Sequence, residues 1–114
     1  MSSSGLIPPE PLDFIKACVV ARRVYWTYHV NMRLQLRSIS RESILGWIAN
    51  AEIIEENPRD KYLPSYLLRL GLGEDCLHVL VAVDVKGDNV RMVTAYRPDA
   101  GEWSDDFRTR RTEP

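Results

Sequence analysis

Three β-prone segments with very short connections make up most of the second half of this chain. They span residues 66–72, 77–85 and 90–97, and residues 73–76 and 86–89 join them. Four-residue connections join neighbouring antiparallel strands, whereas parallel strands need a crossover of a dozen or more residues. The second half of the chain is therefore predicted to form an antiparallel β-meander.

The connection lengths also predict the register of the strands. Leu72 should face Leu77 and Val85 should face Val90, which would place Asp84 opposite Arg91 as a favourable cross-strand pair. Strict alternation then gives one nearly all-apolar face, which should pack against helices and which includes Thr94 and Tyr96. The other face is mixed, and its polar side chains gather toward one end of the sheet: Arg69, His78 and Arg97.

Helical patterns precede the sheet. Residues 11–23 and 29–37 are predicted to form helices, and Ser40 is a good N-cap for a third helix that ends near residue 51. Residues 24–28 are β-prone, and residues 53–56 could form a short strand. The predicted fold is α+β, with two or three N-terminal helices packed on the antiparallel meander. We expect one domain over residues 12–111 after a flexible tail, residues 1–11.

Composition restricts the function. A net charge of −1 and a pI of about 6.1 exclude a generally basic nucleic-acid-binding domain, so an RNA site would need a local group of arginines. The sequence has no apolar run long enough for a membrane span and no signal core, and Cys18 and Cys76 form no CxxC pair. These features favour a cytoplasmic protein with reduced thiols. The lack of metal-binding or phosphate-loop motifs predicts no metal and no cofactor.

The second predicted helix carries a cationic stripe, which we define as His29, Arg33 and Arg37. Residues spaced i, i+4 and i+8 stay on one narrow side of a helix, and apolar residues flank this side, so we expect the stripe to look inward or into a cleft. Its arginines could brace the fold through carboxylates such as Glu42, Glu52 or Glu55. Alternatively, they could grip a phosphate, with the histidine as general acid or base.

Other candidate residues also have two interpretations. His78 could be a hydrogen-bonded strand histidine or a functional one, and Tyr96 and Thr94 are expected in the core. Lys61 and Tyr62 lie in a polar loop that could cover a site or simply be solvated. Residues 103–111 are expected to form a solvated, arginine-rich tail with one helical turn, which could also touch RNA or a partner.

Several short motifs between Thr27 and Trp103 resemble a family of small prokaryotic proteins, domain-of-unknown-function family 4258. The resemblance covers about two-thirds of the chain in the right order, with Ser38 where glycine is common. The matching pieces are Thr27-x-His29-x3-Arg33-x3-Arg37-x-Ile39-Ser40, Glu52-Ile53-Ile54-Glu55, Pro64-Ser65, Leu77-His78-Val79-Leu80-Val81-Ala82, Val93-Thr94-Ala95-Tyr96-x-Pro98 and Trp103.

Members of that family look like bacterial toxins of the RelE and MqsR group. The resemblance implies a RelE-like arrangement of helices on an antiparallel sheet, metal-independent endoribonuclease activity, and an antitoxin partner of the zinc-finger or helix-turn-helix type. The residues at the family's motif positions are His29, Arg33, Arg37, His78, Thr94 and Tyr96.

Our leading hypothesis is an RNA-cleaving toxin. His29 and His78 would act as base and acid, with Tyr96 as a third catalytic candidate. Four arginines would hold the phosphate: Arg33, Arg37, Arg69 and Arg97. A non-catalytic interaction module is the main alternative, and a small anionic-ligand binder is a third.

Overall fold

The computed structural model describes residues 6–72 and 75–111. A five-stranded sheet has the order β1-β5-β4-β3-β2, and the helices pack on one of its faces. The predicted α+β fold is confirmed. In chain order the elements are α1 (Pro11–Val20), β1 (Val24–Trp26), α2 (Tyr28–Leu36), α3 (Arg41–Trp47), a 3-10 turn (Ile48–Asn50), β2 (Glu52–Asn57), β3 (Ser65–Leu72), β4 (Asp75–Asp84) and β5 (Asn89–Tyr96).

The sheet is mixed rather than purely antiparallel. Strands β2 to β5 form antiparallel pairs, as predicted for the meander. Strand β1 instead pairs in parallel with β5, with Val24 beside Val90. The short-connection argument could not reveal this pair, because α2, α3 and three strands separate its two members. Of the predicted N-terminal tail, residues 1–5 lie outside the described residues, and Pro8 is buried.

Both predicted hairpin registers are wrong by two residues. Leu77 pairs with Leu70, and Val90 pairs with Val83. A shift of two residues leaves the side chains of β3, β4 and β5 up to Met92 on their predicted faces, since the strand period is two. The expected attraction between Asp84 and Arg91 survives as a diagonal ion pair of 3.2 Å.

A β-bulge in β5 overturns part of the predicted alternation. Leu80 pairs with Thr94 while the next residue, Val81, pairs with Met92, so Val93 is an extra residue in β5. Beyond the bulge, Ala95 points into the core, and Thr94 and Tyr96 lie on the face away from the helices, here called the open face. The prediction that Thr94 and Tyr96 belong to the apolar face is therefore wrong.

Side-chain caps define where α2 and α3 begin. Thr27 Oγ1 accepts a hydrogen bond from the Val30 amide (3.1 Å), and the predicted N-cap Ser40 accepts one from the Ser43 amide (3.0 Å). Helix α2 ends at Leu36, and Ser38 then adopts a left-handed backbone with φ of 55°. That conformation favours glycine, so the turn is held in place by other contacts.

The C-terminal segment, residues 99–111, folds back over part of the open face. The amide of Ser104 donates to the carbonyl of Thr109 (2.8 Å), and that of Arg111 donates to Glu102 (2.9 Å). Trp103 is the anchor of this segment and is only 1% exposed. The predicted helical turn is wrong, because residues 103–111 form turns and a bridge between Trp103 and Arg110, and Trp103 holds the segment on the sheet. The arginines of the segment are exposed, as predicted. No helix among the described residues is both long and apolar enough to cross a membrane.

Candidate functional site

The cationic stripe of α2 lies on the surface. His29, Arg33 and Arg37 are all exposed, so the prediction that they look inward is wrong. Only Val30 and Leu34 of this helix are buried, and they lie on the side of the stripe toward β5. The buried face of α2 is therefore narrower than its apolar residues suggest.

One member of the stripe braces the fold. The Arg37 guanidinium reaches from the end of α2 to β5, where Nη1 donates to the carbonyl of Ala95 (2.7 Å) and to Oγ1 of Thr94 (3.3 Å). In the opposite direction, the Arg97 guanidinium donates to the carbonyls of Arg37 (2.5 Å) and Ser38 (3.0 Å). These two arginines tie the end of α2 to β5 through backbone carbonyls rather than through the carboxylates that the sequence suggested.

The other two members of the stripe, His29 and Arg33, make no such bracing contact within the described residues. In residues 6–72 and 75–111, no side-chain hydrogen bond or ion pair engages His29 or Arg33. Two of the suggested carboxylate partners are occupied elsewhere, since Glu52 pairs with Arg108 (2.7 Å) and Glu55 pairs with Arg110 (2.6 Å). Two neighbouring basic side chains thus face solvent.

His78 is fully buried at the centre of the open face. Its Nε2 lies 2.8 Å from the carbonyl of Phe107, and its Nδ1 lies 3.3 Å from the hydroxyl of Tyr96. A carbonyl can only accept, so Nε2 carries the proton and Nδ1 accepts from the phenol. The ring also stacks edge-on against Trp103 at 4.4 Å. Burial lowers the pKa of His78, which keeps the imidazole neutral at pH 7.

Arg69 belongs to the same buried layer. It pairs with His78 in the register of β3 and β4, and its Nε donates to the carbonyl of Asp106 (2.8 Å). Its side chain is covered by the C-terminal segment. The predicted grouping of Arg69 and His78 is confirmed, but Arg97 is absent from it because the bulge sends Arg97 toward the helices.

Tyr96 connects this buried layer to a groove on the open face. The groove has a volume of about 300 Å³. The phenol of Tyr96 is half-buried, and burial raises its pKa, so it is a proton donor at neutral pH. We call this cavity the Tyr96 groove; its walls are Glu55, Asn57, Leu67, Leu80, Thr94, Tyr96 and Arg110.

Cations stand at two sides of the Tyr96 groove. Arg37 contacts Thr94 in the groove wall, and Arg110 lies in the wall itself, paired with Glu55 and stacked on Trp103 at 4.6 Å. A second cavity of about 300 Å³ lies between Ala82, Val93 and the loop that carries Lys61 and Tyr62. The Tyr96 groove therefore brings together a phenol, a carboxylate and guanidinium groups.

The structure brings together only some of the predicted site residues. Tyr96, His78 and Arg37 meet around the Tyr96 groove, whereas His29 lies eight residues before Arg37, about 12 Å along the helix axis. His29 and His78 therefore do not face one another. Sequence reasoning named Glu55 only as a possible ion-pair partner of the stripe and Arg110 only as part of the tail, and it missed the covering role of Trp103; a large aromatic residue within a polar, arginine-rich stretch was the available signal.

No group of three or more His, Cys, Asp or Glu side chains within residues 6–72 and 75–111 could hold an ion. Both cysteines, Cys18 and Cys76, are buried free thiols whose pKa is raised by burial.

The comparisons with known proteins identify a family but no characterised relative. No curated protein and no solved structure matches this chain. A family model matches residues 26–97, more than half of the 114 residues, and this range contains the cationic stripe, His78, Thr94 and Tyr96. The chain therefore belongs to the family described as Domain of unknown function (DUF4258).

Proposed function

We propose that this protein is an RNA-directed toxin of a toxin–antitoxin pair and that it cleaves RNA without a metal at the Tyr96 groove. The observation that carries the proposal is the hydrogen bond from the Tyr96 hydroxyl, in the groove wall, to the buried neutral imidazole of His78. Such a pair can accept a proton from a substrate through the phenol and pass one on to the imidazole.

The proposed reaction is an attack of a ribose 2′-hydroxyl on the adjacent phosphorus. Tyr96 accepts the hydroxyl proton as its own proton moves to Nδ1 of His78, the P–O5′ bond breaks, and a 2′,3′-cyclic phosphate forms. The departing 5′-oxygen takes a proton from water. His78 then carries two N–H groups, which donate to the Tyr96 oxygen and to the Phe107 carbonyl, until it returns the extra proton through Tyr96 to the hydroxide left by that water.

The basic groups around the recess suit a ribose–phosphate backbone. Arg37 and Arg110 flank the groove and can stabilise charge on the attacked phosphate. Arg33 and His29 lie one and two turns earlier on the same side of α2, where they can contact neighbouring phosphates. This division of roles gives His29 a binding role and the catalytic proton transfer to Tyr96.

The decisive comparison is between Tyr96→Phe and Tyr25→Phe. Tyr25 is an exposed tyrosine on β1, away from the groove, so its variant controls for loss of a phenol. Wild type and Tyr25→Phe should cleave single-stranded RNA in EDTA and arrest growth when induced. Tyr96→Phe should fold and lose cleavage by about 10²-fold or more. Intact RNA with folded wild type, or full activity in Tyr96→Phe, would refute the proposal.

The proposed partner is an antitoxin of the zinc-finger or helix-turn-helix type, encoded by a neighbouring gene. Its co-expression should relieve the growth arrest. A neighbouring protein that neither binds this chain nor relieves the arrest would count against the toxin–antitoxin assignment.

A further inference from the structure

An apolar row occupies the outermost side of α2. Tyr28, Met32 and Leu36 are 73%, 41% and 79% exposed. At about 100° per residue, the centre of this row lies about 180° from the centre of the buried pair Val30 and Leu34. A helix on the surface of a monomer normally puts charged or polar residues there. We define Tyr28, Met32 and Leu36 as the apolar row.

The apolar row directly adjoins the available cations. His29 and Arg33 lie on the side of α2 between the apolar row and β5, with no partner among the described residues. The helix thus presents an exposed apolar strip about 12 Å long, bordered on one side by positive charge. Contiguous exposed apolar surface with a charged border is typical of a protein-binding surface.

We infer that this surface of α2 docks an amphipathic helix of a partner protein, one with an apolar face bordered by carboxylates. Packing against Met32 and Leu36 would remove apolar surface from water, and the carboxylates would meet Arg33 and His29. A second copy of this chain packed antiparallel along the apolar row would bring the Arg33 side chains to the same border, where like charges repel. Charge complementarity therefore selects an acidic partner.

The docking inference has a consequence that rests on the proposed function. A helix seated on the apolar row covers Arg33 and His29, which the proposal assigns to RNA phosphates. The partner would therefore compete with RNA for these side chains without entering the Tyr96 groove. Inhibition by such a helix should weaken as the RNA concentration rises.

The experiment uses a fluorescein-labelled synthetic helix of three heptads, with leucine on one face and glutamate on both borders. A matched peptide carries lysine at every glutamate position. Binding to the full chain is followed by fluorescence anisotropy. The variants are the double variant Met32→Ser/Leu36→Ser, Arg33→Gln, and the control Val20→Ser, which removes a similarly exposed apolar side chain at the end of α1.

The acidic peptide should bind wild type and Val20→Ser alike. The double serine variant should bind at least about tenfold more weakly, because its two apolar contacts are lost, and Arg33→Gln should weaken binding mainly at low salt. The lysine peptide should not bind. Thermal melting should be nearly unchanged in all three variants, since the substitutions are on the surface.

Three results would overturn the docking inference: equal binding by the double serine variant, equal binding by the lysine peptide, or concentration-dependent dimers of wild type that the double variant abolishes. RNA cleavage is measured separately in the same samples. Peptide binding without any RNA cleavage would leave the docking surface intact and refute the proposed function. Cleavage without peptide binding would refute only the docking surface.

Discussion

Tyr96 donates its phenolic proton to Nδ1 of His78 across 3.3 Å, and the direction of this hydrogen bond is set by the Phe107 carbonyl at the other ring nitrogen. The imidazole is thereby held in one tautomer, neutral and shielded from solvent by Trp103. Stability and the proposed chemistry consequently depend on the same buried ring. The two roles can be separated by their response to pH.

Acid should destabilise the fold through His78. In the folded protein, burial lowers the pKa of this histidine below its ordinary value of 6.5. The unfolded chain therefore binds more protons than the folded protein once the pH falls below about 6.5. The free energy of unfolding should be constant above this pH and fall below it. Urea melts at pH 7.5, 6.5, 5.5 and 5.0 would measure this dependence.

His78→Phe is the matched variant for this pH dependence. It should be less stable at pH 7.5 by about 1–3 kcal/mol, because the Tyr96 hydroxyl and the Phe107 carbonyl lose their partner. Between pH 6.5 and 5 it should nevertheless lose less stability than wild type. Parallel pH profiles for the two proteins would contradict the assignment of a buried neutral imidazole.

The arginines of the cationic stripe should separate into structural and surface groups. Arg37→Ala and Arg97→Ala should each lower the free energy of unfolding by about 1–2 kcal/mol, because their guanidinium groups bind backbone carbonyls that link α2 to β5. Arg33→Ala, one turn from Arg37, should change stability by no more than about 0.5 kcal/mol. Equal losses in Arg33→Ala and Arg37→Ala would show that the bracing contacts are wrongly assigned.

The C-terminal segment should depend on one aromatic side chain rather than on its ion pairs. Trp103→Ala should cost about 3–5 kcal/mol, because it leaves a large void against His78 and releases Arg110 from its ring. Arg108→Ala breaks an exposed pair with Glu52 and should leave the free energy of unfolding nearly unchanged. Chemical denaturation of both variants tests this contrast, and a larger effect for Arg108→Ala would reverse our interpretation.

The sequence predicted the features that depend on local pattern. Alternating apolar residues with short connections were enough for the meander, and Ser40 was recognisable as a cap because it bonds an amide three residues away. The helix spacing also placed His29, Arg33 and Arg37 on one side of α2. Each of these predictions depends on residues that are near neighbours in the chain.

The predictions failed where contacts between residues far apart in the chain determine the structure. The extra residue Val93 reverses the faces of Thr94 and Tyr96, and no local signal marks a bulge at a β-branched residue inside an apolar run. The inward orientation predicted for the cationic stripe depended on which of two apolar rows β5 would cover. Trp103 packs on His78, 25 positions earlier in the chain, so the covering of His78 could not be derived from spacing. The Tyr96 groove depends on the first of these features, because the bulge places Thr94 and Tyr96 in its wall.

Two glycines should respond in opposite ways to alanine. Gly71 lies within β3 with φ of 95°, and a Cβ there would lie 2.0 Å from the backbone oxygen of Asp75. Gly46 lies inside α3, where a Cβ meets nothing within 4 Å. Gly71→Ala should therefore cost about 3 kcal/mol or more, since backbone must move. Gly46→Ala should add about 0.5–1 kcal/mol through helix propensity and a less flexible unfolded chain.

Thermal and urea unfolding of the two alanine variants and wild type would show whether the free energy of unfolding falls in one variant and rises in the other. Because the substitutions add the same methyl group, differences in hydrophobicity cannot explain opposite effects. Destabilisation by Gly46→Ala would indicate that the added methyl group clashes with a neighbouring group, against the open space around Gly46. A neutral Gly71→Ala would require that β3 and β4 separate at the Gly71–Cys76 pair, against the close approach of the Asp75 carbonyl.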